Sequence, residues 1–162
     1  MKKKLVALIL LLSCVFSFAS CSMLPIYNSP ELTRVLRDKG YDITDVDEEV
    51  QEGIVGYIYG YNEETDDEIY YIYCENFKSA KSIHDYISSK QKAKVAEIKM
   101  EIDKVEYALY KSEGMSASEL GDYYERYIEL SEELKEAEKY TSGRGFNLVW
   151  YGTKQAIADI QK

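Results

Sequence analysis

Nucleophilic, acid–base and metal chemistry needs histidine, cysteine, serine or paired carboxylates in particular arrangements, and this chain is sparing with them. It has one histidine, His84, within Ser82-Ile83-His84-Asp85-Tyr86, and three cysteines, Cys14, Cys21 and Cys74. A transition-metal site draws mainly on His and Cys ligands, and neither a second histidine nor a usable cysteine pair accompanies His84. A Ser-His-Asp relay is formally available, but no serine sits in the Gly-x-Ser-x-Gly setting that exposes a nucleophile. His84 therefore reads first as a partly exposed helix residue. Acids gather at 42–52 and at Glu63, Glu64, Asp66, Asp67 and Glu68. Carboxylates suit calcium, yet the second cluster lacks the Asp-x-Asn-x-Asp-Gly spacing of a dedicated loop, and solvated turns are the default. Glycoside hydrolysis by two carboxylates depends on a separation of roughly 5 to 9.5 Å in space, which spacing along the chain does not locate. Gly143-Arg144-Gly145 is too short for a phosphate cradle. No metal or cofactor is expected.

Tyrosine is the unusual residue. The chain has 16, and six of them fall in two strand-like segments, 54–61 and 69–75. Tyrosine joins a large apolar body to a polar tip, which suits surfaces that bind partners and still face water. If Tyr59 faces Tyr71 across a hairpin, one face collects Tyr57, Tyr59, Tyr61, Tyr71, Tyr73 and Glu75. The other collects Ile54, Gly56, Ile58, Gly60, Tyr70, Ile72 and Cys74. The first set is then a candidate binding platform for a glycan, peptide or protein. The second is the natural core face, where glycines admit a close helix and Cys74 is a buried structural thiol. A slip of one residue would mix the two sets. Cross-strand aromatic packing beneath another element is the alternative use of these tyrosines, since Tyr favours strands in any case.

The elements that must carry these residues follow from caps and periodicity. Ser29 can cap a first helix that begins at Pro30, buries Leu32, Val35 and Leu36, and stops at Gly40. Residues 41–44 alternate as a short strand. The two tyrosine segments, joined by the polar loop 62–68, form a hairpin. Asn76 can cap a long helix over 77–112, whose stripe Phe77, Ala80, Ile83, Ile87 suits the sheet. Its later spacing, Val95, Ile98, Ile102, Val105, Leu109, is that of a coiled-coil seam. Gly114 breaks it, and Ser116-Ala117-Ser118-Glu119 has the form of a capping box. A second seam follows: Leu120, Tyr123, Tyr127, Leu130, Leu134, Ala137. Together these make an antiparallel helical hairpin over 77–140. At 1.5 Å per residue the first arm spans roughly 54 Å, long enough to protrude. Gly143-Arg144-Gly145 ends the hairpin, 146–151 returns as a strand, and Thr153 caps a short last helix. The expected class is α+β: a small, mostly antiparallel sheet (β-hairpin plus C-terminal strand) packed on helices, with the helical hairpin projecting from it.

The N-terminus has a different character. Met1-Lys2-Lys3-Lys4 precedes an uncharged apolar run over 5–19, the pattern of a secretory signal. The run is shorter than the roughly 20 residues that cross a bilayer. Phe18-Ala19-Ser20-Cys21 resembles the lipobox of bacterial lipoprotein precursors. That resemblance covers the first 21 residues. It implies that the Cys21 thiol receives a diacylglyceryl group and that a peptidase cuts before it. The chain then divides into a signal peptide at 1–20, a tether at 21–29 containing Pro25, and one domain at 30–162. An ordinary secretory signal cut near Ala19, leaving Cys21 as a free thiol, is the alternative. Two acyl chains anchor stably where one does not, so the expected address is the extracytoplasmic face of the cell membrane.

Charge narrows the partners. Loss of the three signal lysines takes the formal net charge from −9 to −12. Such an acidic protein is repelled by phosphate backbones, so nucleic acid is not an expected partner. With Cys14 removed and Cys21 acylated, Cys74 stands alone and packing rather than a disulfide must hold the fold. The sequence points to a non-enzymatic binding or interaction module of the cell envelope, with the membrane as one partner and an envelope protein, peptide or glycan as another. A small cell-wall-active hydrolase using carboxylates with His84 and a purely structural spacer are the alternative readings.

Overall fold

A computed structural model of the chain describes residues 29–46 and 51–161. The signal segment, Cys21, nearly all of the tether and part of the first acidic stretch lie outside the described residues.

The fold is α+β, with a five-stranded antiparallel sheet clasped by helices on both faces. Helix α1 (Ser29–Asp38) buries Leu32 and Leu36, as its stripe requires. It stops at Gly40, whose φ of 86° is the left-handed conformation a glycine adopts without strain. Strand β1 (Asp42–Val46) pairs with β2 (Ile54–Asn62), and β2 with β3 (Asp67–Cys74). Helix α2 (Phe77–Tyr110) begins at Asn76, whose side chain accepts the Ser79 N–H at 3.0 Å. Helix α3 (Ala117–Lys139) opens on the complete Ser116/Glu119 capping box. Strands β4 (Tyr140–Arg144) and β5 (Leu148–Thr153) follow, and Thr153 caps α4 (Lys154–Asp159) by accepting from Ala156 N at 3.2 Å. The order across the sheet is β1-β2-β3-β5-β4.

Two features depart from the sequence expectation. The segment expected to end the helical hairpin is a strand: 140–144 pairs along its length with β5, and Gly143 lies flat under Trp150. A Cβ at Gly143 would stand 2.6 Å from the indole, so the Trp ring takes the space that a side chain would fill. The second departure is the hairpin register. Tyr59 faces Tyr70 and not Tyr71. The cause is local. Asn62 pairs with Asp67 across a four-residue loop, in which Asn62 Oδ1 accepts the N–H of Glu64 at 3.0 Å and of Thr65 at 3.3 Å. Asp66 closes the loop at a φ of 57°. This Asx-type turn sets the pairing from Asn62 to Gly56 one residue away from the expected one, so β3 side chains change face relative to that stretch of β2; an irregularity between Ile54 and Gly56 then leaves Ile54 opposite Cys74, on one face as expected.

The consequence is a sheet with two apolar faces. On one, Ile58, Ile69, Tyr71, Leu148 and Trp150 pack against Leu32 and Leu36 of α1 and Ala156, Ile157 and Ile160 of the C-terminal segment. Gly60 belongs here as expected, with Leu36 Cδ1 3.4 Å from where its Cβ would be. On the other, Ile72, Cys74 and Val149 pack against Ala80, Ile83 and Ile87 of α2. Cys74 is 1% exposed, and burial pushes its thiol up to about 11. Farther along, Ile98 and Val105 meet Leu130 and Ala137, flanked by Val95, Ile102, Leu109, Tyr123, Tyr127 and Leu134. The two arms thus form a hairpin cemented by its own seam, and α2 alone runs about 51 Å.

Candidate functional site

Four tyrosines form a row across the second sheet face. Tyr59 comes from β2, Tyr70 from β3, Tyr151 from β5 and Tyr140 from the start of β4. Direct pairing of Tyr59 with Tyr70 and of Tyr70 with Tyr151 aligns three of them. Ring centroids lie 4.6 Å apart for Tyr59–Tyr70, 6.5 Å for Tyr70–Tyr151 and 5.3 Å for Tyr140–Tyr151, the last pair stacked at 19°. Tyr57 joins at 6.4 Å from Tyr70. These separations are those of favourable aromatic pairs. All five rings are half-buried. Helix α2 packs on β3, β5 and β4.

Glu68 organises the row. Its Oε2 accepts the Tyr59 hydroxyl at 3.0 Å and its Oε1 accepts the Tyr140 hydroxyl at 2.8 Å. Burial first, and then the bond to this carboxylate, push the Tyr59 phenol up to about 12. The same two causes raise Tyr140, while Tyr70 and Tyr151 are raised chiefly by burial. Tyr59 and Tyr140 are thereby held as donors to Glu68. Its position depends on Gly152, because a Cβ there would sit 2.3 Å from the Glu68 carbonyl oxygen.

Beside the row, where α2 and the end of α3 leave the sheet, runs an open groove of about 640 Å³. Its sheet side is Glu68, Tyr140 and Tyr151. Its helix side is one face of α2, Tyr86, Ile87, Lys90, Gln91 and Lys94, with Glu136 and Ala137 of α3. The size lies within the range of small-ligand sites. Gln91 bridges the two sides by donating to the Tyr140 carbonyl. A second hollow of about 480 Å³ adjoins it through Tyr86 and Ile87, and is walled by Ile54, Ile72 and Ile83.

Of the platform expected from the sequence, Tyr57, Tyr59 and Tyr61 lie on this face. Tyr61 gives its hydroxyl to Asp66 at 2.9 Å. Tyr71 and Tyr73 do not share it: the register turns them to the opposite face, where Tyr71 is fully buried and meets Tyr73 edge-on at 5.5 Å. Tyr70, expected in the core, takes their place. Glu68, Tyr140 and Tyr151 were not legible as site residues, since only the five-strand topology brings them together. His84 lines neither hollow; its Nδ1 is 3.6 Å from Asp85 on the same helix. Among the described residues no group of three or more His, Cys, Asp or Glu converges as metal ligands would. In the second acidic cluster, Asp66, Asp67 and Glu68 each bond a tyrosine or threonine hydroxyl. Comparison with known proteins adds no assignment: no family model, no curated protein and no solved structure matches the chain.

Proposed function

We propose that this chain is a non-enzymatic binding module of the cell envelope, lipid-anchored through Cys21, that takes its ligand in the groove between the tyrosine row and α2. The observation that carries the reading is the site's construction. Aromatic rings from four strands and one carboxylate are held in a bonded row that opens onto a groove of ligand size, with polar groups on both walls. Apolar rings with fixed hydroxyls supply contact area at low entropic cost, and the few charged groups around them supply orientation. The first 21 residues give the address, and the acidic composition turns the module away from nucleic acid.

Ring-selective labelling of the tyrosines in the full-length protein tests this. Soluble fragments of envelope material are expected to shift the NMR signals of Tyr59, Tyr70, Tyr140 and Tyr151 and to leave Tyr107 and Tyr110, remote on α2, in place. Unmoved signals from the four row tyrosines would remove the support for this reading.

A further inference from the structure

Resting on the groove being the binding site, we infer that its ligand is a carboxylated saccharide, a pyranose chain whose rings carry acid groups. Three features of the groove select this chemistry over a neutral sugar or an apolar peptide. Tyr140 and Tyr151 present aromatic surface, against which the weakly positive C–H face of a pyranose packs while its hydroxyls stay at the edge. Glu68 already accepts one phenol hydroxyl on each oxygen. A carboxylate has about four acceptor positions, so each oxygen keeps one for a further donor, and a polyol brings hydroxyl donors to an aromatic floor. Lys90 and Lys94 stand one helical turn apart on the groove side of α2. Neither forms an ion pair among the described residues; Lys90 lies only over the Tyr86 ring, 5.7 Å from its centroid.

The acids nearby are already engaged. Glu68 holds the two phenols, and Glu136 is paired with Lys139 at 2.7 Å. Two ammonium groups without a carboxylate partner among the described residues stand on the helix wall of the groove and balance the charges of its two lining carboxylates, Glu68 and Glu136. The group that complements them is an anion carried beside the stacked ring, as a ring or ether carboxylate would be. Charge-assisted bonds of this kind are the strong ones.

Calorimetry on the full-length protein with two defined probes decides the matter. One is a hyaluronan tetrasaccharide and the other a disaccharide of N-acetylglucosamine and N-acetylmuramic acid, each compared with its carboxyl-reduced form. At least one acidic form is expected to bind about tenfold or more tightly than its reduced form, and to weaken as salt rises because both lysines are exposed. The double variant Lys90→Gln/Lys94→Gln, checked for unchanged circular dichroism, is expected to bind acidic and reduced forms alike. Equal binding of both forms by the unaltered protein overturns the inference and leaves the groove as a binding site. No saccharide binding, with the tyrosine signals still shifted by envelope peptides, also overturns it and spares the broader reading. If neither saccharide nor envelope fragment moves those signals, both fall.

Discussion

The Tyr59–Glu68 bond makes a measurable claim about alkaline behaviour. The Tyr59 phenol ionises at about 12 in the fold, against an ordinary value of 10. Above the ordinary value the unfolded chain has lost a proton that the folded chain still holds, so stability falls as pH rises between about 10 and 12. Below that window the contribution is fully present. A spectrophotometric titration of the protein minus that of Tyr59→Phe should have its midpoint near 12. Glu68→Gln should lower that midpoint part of the way towards 10, because burial, the larger cause, persists while the bond and charge of Glu68 are weakened. A midpoint already at 10 in the unaltered protein would mean that Glu68 does not hold this hydroxyl.

Among the elements, the β2–β3 hairpin decides the most, and its register is open to a stability test. With Tyr59 opposite Tyr70, Tyr71 is a core residue and Tyr70 a half-buried one. Tyr71→Ala removes a large fully buried ring and should cost about 3 to 5 kcal/mol. Tyr70→Ala loses cross-strand ring contacts and should cost about 1 kcal/mol. Urea unfolding of the two variants measures both; a reversed order would restore the register in which Tyr71 faces Tyr59. The helical hairpin was far more legible than this one. Its seam recurs at alternating three- and four-residue intervals over many turns, and each helix start has a local side-chain cap, Asn76 or Ser116. Strand β4 was not legible. Five residues with a glycine in fourth place carry little strand signal, and their pairing with β5 depends on Trp150 lying over Gly143.

At the scale of the molecule, the described residues form a sheet domain with helices on both faces and a helical arm, and the proposed anchor precedes them. No helix among the described residues is long and apolar enough to cross a membrane; the proposed attachment is through an acylated Cys21. Intact-mass analysis of the protein from its native membrane should show a chain beginning at Cys21 with added fatty-acyl mass. A chain retaining Met1 to Ser20 without lipid would remove the envelope address. The groove lies where the arm leaves the sheet, with walls from β3, β4, β5, α2 and α3. A ligand seated there touches both parts of the described fold.

What the residues settled alone was local. Caps, seams, the left-handed glycine after α1 and the alternation of the tyrosine segments each involve neighbours within a few positions, so type and spacing carry them. The burial of Cys74 also followed from its apolar setting. Tertiary structure decided which face each tyrosine occupies and which distant groups meet. One residue of loop geometry at 62–67 turned Tyr71 inward and Tyr70 outward. Glu68 and Tyr140, 72 positions apart, met only through the insertion of β5 between β3 and β4. Side-chain direction in a strand has a period of two, so a pattern in the chain specifies two alternative faces equally well until a turn and a neighbouring strand select one.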